Sequence, residues 1–286
     1  MSYKIVVDSC CDLTDEMKNW NNFEVVPLTL QIGDYCILDD SNFNQEDFIS
    51  RMVSSNVIAK SACPSPQAFA SACNGDYDDI YIITITDRLS GCYNSALQGV
   101  ELYKEEHNDS KNIHVFNSLS TSGVEALMAQ KIKHMADSGE TFDDIVTAVE
   151  KYAIENCKLY FLLESYDMLK GNGRLYNLAA NMFEALKVKL IGVARDGKVA
   201  IAGKDFIQKR VFIKLADMIA KDTEGCDLSN KQCILSHVCC EDKAEAIKAA
   251  IISKTNYTND NVTIMKASGL NSLYGSDGGV LVAFNY

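Results

Sequence analysis

The sequence predicts an α/β protein of two domains, and three observations lead there. Apolar runs rich in β-branched residues alternate with segments of helical period as far as the C-terminus, the pattern of strands and helices laid down in turn. Apolar residues make up 47% and charged residues 23% of 286 residues, the balance of a chain that folds around a core. The alternation breaks once, where two helical patterns follow each other around Ser138-Gly139 with no strand between them. A change of domain is expected after that break, with the boundary at residue 157, giving α/β units over 1–157 and 158–286. With only three prolines and no proline-rich linker, the two units are expected in close contact.

In chain order, Tyr3–Val7 is a short apolar run closed by Asp8, and Phe23–Ile32 is a longer one; both read as strands. Helical period covers Asn44–Ser54. Pro66 at a first-turn position, with Ser65 as its cap, opens a helix over Pro66–Cys73. The strand Asp79–Thr84 leads to a helix over Ser90–Glu106, then come the strand Asn112–Phe116 and the adjacent helices Ser122–Asp137 and Phe142–Glu155. The second unit starts with the strand Lys158–Leu163 and a helix over Leu175–Leu186. Strands Lys189–Ala194 and Lys198–Ala202 flank Asp196-Gly197, a two-residue hairpin signal. A helix over Gln208–Lys221, the strand Lys231–His237, a helix over Lys243–Lys254 and the strands Val262–Lys266 and Gly279–Phe284 complete the chain.

Charge and composition exclude several functions. The net charge of −12 repels phosphate backbones and anionic lipid heads, and no basic cluster exceeds Lys209-Arg210. Nucleic-acid binding and stable membrane insertion are therefore not expected, since no eighteen apolar residues run together either. The first residues lack a signal-peptide core, so the expected location is the cytoplasm. The eleven cysteines are odd in number and have no Cys-x-x-Cys spacing, so neither a disulfide framework nor a zinc site is expected. The four histidines never fall at ligand spacing, although His237, at the end of a strand, is the hardest to dismiss.

Familiar catalytic motifs fail on inspection. Gly192 to Lys198 has the outline of a phosphate loop but lacks the Ser or Thr that follows the lysine, and Asp196-Gly197 makes a plain turn the better reading. Gly171-Asn172-Gly173 lacks the third glycine of a dinucleotide fingerprint. Asp8 and Asp12 close the first strand, at the sheet edge where open α/β sheets place ligands; turn formation and capping explain them better than catalysis does. A small-molecule hydrolase or transferase using these two aspartates is the rival function.

What remains is a set of hydroxyl residues at helix starts. Ser61 precedes the helix from Pro66, and Ser90 opens the helix after Asp79–Thr84. The Ser90 hydroxyl and the amide of Gly91 offer donors to an anion without any Arg or Lys. Capping alone also accounts for both serines.

At these residues the sequence resembles the DegV family, bacterial fatty-acid-binding proteins that act as carrier subunits of fatty acid kinase. Asp8-Ser9 with Asp12-Leu13, Ser61-Ala62-Cys63-Pro64-Ser65, Ser90-Gly91-Cys92-Tyr93-Asn94-Ser95-Ala96, Asn117-Ser118, Leu169 to Leu175 and Asp196-Gly197-Lys198 are similar to six family segments in one order. The resemblance implies an N-terminal parallel-sheet domain and a C-terminal mixed-sheet domain with an acyl pocket between them. It implies that Ser61, standing for a Thr, and Ser90 hold a fatty-acid carboxylate, with Gly91 adding an amide. It implies no catalytic residue in this chain and no cofactor beyond the bound fatty acid, with phosphoryl transfer left to an ATP-dependent kinase subunit.

The chain departs from that pattern at three places. Tyr274-Gly275-Ser276-Asp277-Gly278 stands where the family has His-x-Gly-Pro-Gly, so a phenol replaces an imidazole and Asp277 lies close by. Phe206 replaces an arginine. Lys60, just before Ser61, is a candidate for a returned positive charge, although an exposed lysine is the better reading. Tyr274 is the expected third head-group ligand, and Arg174, in a glycine-flanked loop, is either a partner-docking residue or a solvated charge.

Overall fold

The computed structural model describes residues 2–55, 57–107, 110–175 and 188–286. The N-terminal half opens with β1 (Tyr3–Asp8), β2 (Phe23–Val26), β3 (Thr29–Ile32), β4 (Tyr35–Leu38) and α1 (Gln45–Ser55). It continues with β5 (Lys60–Ala62), α2 (Pro66–Ala72), β6 (Asp79–Thr84), α3 (Cys92–Glu106) and β7 (Asn112–Asn117). Two helices follow, α4 (Gly123–Asp137) and α5 (Phe142–Glu155). The C-terminal half has β8 (Cys157–Leu162), α6 (Asp167–Gly171), β9 (Lys189–Arg195), β10 (Lys198–Asp205) and α7 (Gln208–Asp222). It ends with β11 (Cys233–His237), α8 (Glu241–Lys254), β12 (Val262–Lys266), α9 (Gly269–Gly275) and β13 (Val280–Asn285).

Three sheets result. β2-β1-β6-β7 is parallel throughout, and its central strands are buried on both faces, which is why β1 and β6 read as continuous apolar runs rather than alternating ones. β10-β9-β8-β13-β11-β12 is mixed: its pairs are antiparallel except β11 with β12. β4-β3-β5 is a small antiparallel sheet that carries Ser61 opposite Leu30. α4 packs on β1 and β6 and also on β8, β11 and β13, and so forms a shared layer. One apolar cluster therefore runs from Ile5 and Tyr81 through Leu127 to Phe161 and Leu281.

The expected strand Phe23–Ile32 is two strands in two different sheets. Pro27, between them, has no N–H for a ladder, and the chain turns there into the antiparallel sheet. The short elements β4, β5, α6 and α9 carry too few residues to show a period, and the sequence reading contains none of them. The helix expected over Leu175–Leu186 lies, beyond its first residue, outside the described residues. Among the described residues no helix is long and apolar enough to cross a membrane.

Candidate functional site

The turn after β6 and the start of α3 make one side of the site. The N–H groups of Leu89 and Ser90 both donate to the Thr86 carbonyl, and Gly91 rather than Ser90 is the residue that caps α3. Ser90 is half-buried; its hydroxyl accepts from the Cys92 N–H at 3.3 Å and donates to Cys92 Sγ at 3.1 Å. Sulfur is a weak acceptor, so that donor can turn to a stronger one.

Ser95, one helical turn on, donates to the Pro64 carbonyl at 2.6 Å and ties the segment from Ser61 to Ser65 to α3. Ser65 caps α2 as expected, accepting from the Ala68 N–H. Ser61 on β5 and Ser90 are thereby brought to the same cavity, of about 340 Å³, which Gly91 and Tyr274 also line. This volume lies in the range of small-molecule sites, roughly 300–1,000 Å³.

The rest of the wall is mostly apolar. Leu159, Phe161 and Leu163 come from β8 and its end, Leu281 from β13, Leu270 from α9, and Val199 from β10. The β9–β10 hairpin closes over it. Asp196 and Gly197 both have positive φ, +51° and +76°, as a two-residue hairpin requires. A side chain at Gly197 would meet Thr86 Oγ1 at 2.4 Å, so the hairpin tip rests directly on the turn that carries Ser90.

Arg174 is half-buried and lines the cavity; its Nε donates to the Leu89 carbonyl at 2.9 Å and its Nη1 to that of Asn172. It is not a solvated loop charge, because it braces the Ser90 turn. Lys198 is the other basic residue of the lining. Lys60 and Asp277 are exposed and outside the lining, and Phe206 is 63% exposed.

Asp8 and Asp12 are buried and do not line the cavity. Asp8 accepts from the N–H groups of Cys10 and Ile85, both at 2.9 Å, so it ties β1 to the end of β6. Asp12 accepts from the Ser268 N–H, Asn271 Nδ2 and the Ser122 hydroxyl. Asp39 accepts from the N–H groups of Gly269 and Leu270 and completes a clasp on α9, the helix that carries Tyr274. These carboxylates hold loops, and the two aspartates of the hydrolase reading stand apart from the cavity lining.

Asp8, Cys10 and Glu125 place one oxygen or sulfur each within 4.8 Å of one another. Neither oxygen of Glu125 meets a protein donor, and burial, with the neighbouring Asp8 charge, pushes its pKa well up. His237 lies at the end of β11 as expected, and its Nδ1 faces the Cys240 N–H at 3.2 Å, which makes it part of a turn. Thr86, Ser120, Thr121 and Asn271 line the cavity without having been singled out in the sequence.

Two α/β halves closed over a mainly apolar cavity, with neutral hydroxyls on its wall, define a class of proteins that enclose a small amphiphile. The comparisons give the family. The model of the family described as "Uncharacterised protein, DegV family" matches residues 2–275. The chain is 33% identical over 292 residues to a DegV domain-containing protein of Streptococcus gordonii, covering 99% of each. A DegV family protein of Ruminococcus gnavus, solved with vaccenic acid, is 35% identical with a TM-score of 0.89 over 99% of both chains. The Fatty Acid Kinase (Fak) B3 protein of Streptococcus pneumoniae, loaded with linoleic acid, is 30% identical with a TM-score of 0.89, over 100% of this chain and 99% of that one. The chain belongs to the DegV family.

Proposed function

We propose that the chain binds a long-chain fatty acid and presents it to an ATP-dependent kinase subunit, without catalysing a reaction itself. The observation that carries this reading is the cavity, apolar along β8 and β13 and lined by Ser61, Ser90 and Gly91. Such a site fits one long hydrocarbon tail with one small polar head. Burial of the tail contributes about 0.8 kcal/mol per CH₂, so the head needs only a few neutral donors to be placed. The vaccenic and linoleic acids bound by the two similar proteins are of this chemistry.

Within this reading the hydroxyls of Ser61 and Ser90 and the Gly91 amide hold the carboxylate, and the Tyr274 phenol is a further donor. Arg174 acts inward, holding the Ser90 turn, and is a positioning residue rather than a docking one. Phosphoryl transfer belongs to the partner, since Gly192–Lys198 forms strand and hairpin rather than a phosphate loop.

The test is a Ser61→Ala/Ser90→Ala double variant. It is expected to bind palmitate roughly tenfold or more weakly, as loss of two hydrogen bonds to a charged group implies, and to keep its ligand-free melting temperature. Affinity equal to that of the parent protein, measured by calorimetric titration, would refute the head-group assignment.

A further inference from the structure

Among the described residues, Ser120 is the one cavity-lining side chain whose polar atom is buried and meets no partner. The residue is 7% exposed. A hydroxyl taken out of water without a partner costs free energy, and folded proteins pair nearly all such groups. The protein leaves this one unpaired, in a residue that lines the cavity.

The backbone around it is fixed. Its carbonyl accepts from the Thr86 N–H and the Ser118 hydroxyl, both at 2.9 Å, and its N–H donates to Ser118 Oγ at 3.2 Å. The same loop holds two non-glycine residues in the left-handed region, Leu119 at φ +50° and Ser122 at φ +61°. Such strain persists only where the surroundings impose it, and it gathers at ligand sites.

The bonds of this loop place Ser120 between the two carriers of the head-group donors. Thr86 joins it to the Ser90 turn, because the Thr86 carbonyl accepts the Ser90 N–H. Thr121 joins it to α9, donating to Asn271 Oδ1 three residues before Tyr274. Tyr274 is where the family resemblance expects a histidine.

Resting on the fatty-acid reading, we infer that the Ser120 hydroxyl donates a hydrogen bond to the carboxylate of the bound acid. It joins Ser61 and Ser90 as a third serine ligand and supplies part of what the missing histidine would give. The ligand class follows: a free carboxylic acid, recognised as the anion, in preference to its neutral ester.

The experiment titrates the parent protein, Ser120→Ala, Ser120→Thr and the Ser61→Ala/Ser90→Ala double variant with palmitic acid and with methyl palmitate. Ser120→Ala is expected to weaken palmitate about tenfold and methyl palmitate less than about twofold. Its ligand-free melting temperature is expected to stay level or rise, since an unpaired hydroxyl has been removed. Ser120→Thr, which keeps the hydroxyl, is expected to stay within about threefold of the parent for palmitate.

Palmitate binding unchanged in Ser120→Ala but weakened in the double variant would overturn this assignment and leave the fatty-acid reading intact. Equal weakening of acid and ester, or a lower ligand-free melting temperature not restored by threonine, would overturn it in favour of a purely structural serine. A parent protein that binds no fatty acid would overturn both readings.

Discussion

Ser61 and Ser90 are paired across the cavity by a bond that neither of them makes. Ser95 reaches the Pro64 carbonyl, and α2 and α3 close together around it. Ser61, Ser90, Gly91 and Tyr274 could be picked from the sequence because each lies in a segment with a recognisable order of neighbours. Ser120 could not, because its significance is a missing partner, which exists only once β6, β7 and α9 have been brought together. At the same scale, Asp39 makes a prediction about pH. Burial raises its pKa from 3.8 to about 6, and the N–H groups of Gly269 and Leu270 only partly offset that. A carboxyl raised on folding contributes stability in full below its unfolded pKa and loses it as pH rises through the folded value. The loss between pH 4 and pH 6 amounts to about 3 kcal/mol at most. Asp39→Asn is neutral throughout, so its melting temperature relative to the parent should be several degrees more favourable at pH 7 than at pH 4.5. Thermal melts at the two pH values check this, and a pH-independent difference would count against the clasp as described.

Elements of clear period were legible, and elements that depend on their neighbours were not. β6, β12 and α5 have the expected bounds, because each is a run bounded by its own breaking residues. Phe23–Ile32 was misread because its apolar content runs straight across Pro27, and only the missing N–H there separates two sheets. Gly192 illustrates the same limit. In the sequence it opened a would-be phosphate loop; in the fold it lies in β9 opposite Phe161 of β8, with that ring over the place of a side chain. A Cβ at Gly192 would come within 1.9 Å of the ring, and the ring lines the cavity. Gly192→Ala should therefore move Phe161 into the cavity and shift the preference towards shorter acyl chains. Competition between lauric and stearic acids for the parent and the variant measures that shift, and an unchanged ratio would mean that Phe161 does not limit the chain.

For the whole molecule, the division of labour follows from charge and shape. A chain of net charge −12 has little to hold a phosphate, but in the proposed function its apolar cavity takes up an acyl tail and neutral donors place the head. α4, packed on both large sheets, couples the two halves, while the β9–β10 hairpin meets the Ser90 turn at Gly197. The fold class was legible because alternation of strand and helix is written along the whole chain. The cavity was not, since it is made by loops from both halves and no single segment contains it. The most direct measurement is native mass spectrometry of the freshly purified protein, followed by denaturation and mass analysis of what is released. The account predicts one long-chain fatty acid per chain. A protein that releases none, and gains no thermal stability from added palmitate, would contradict it.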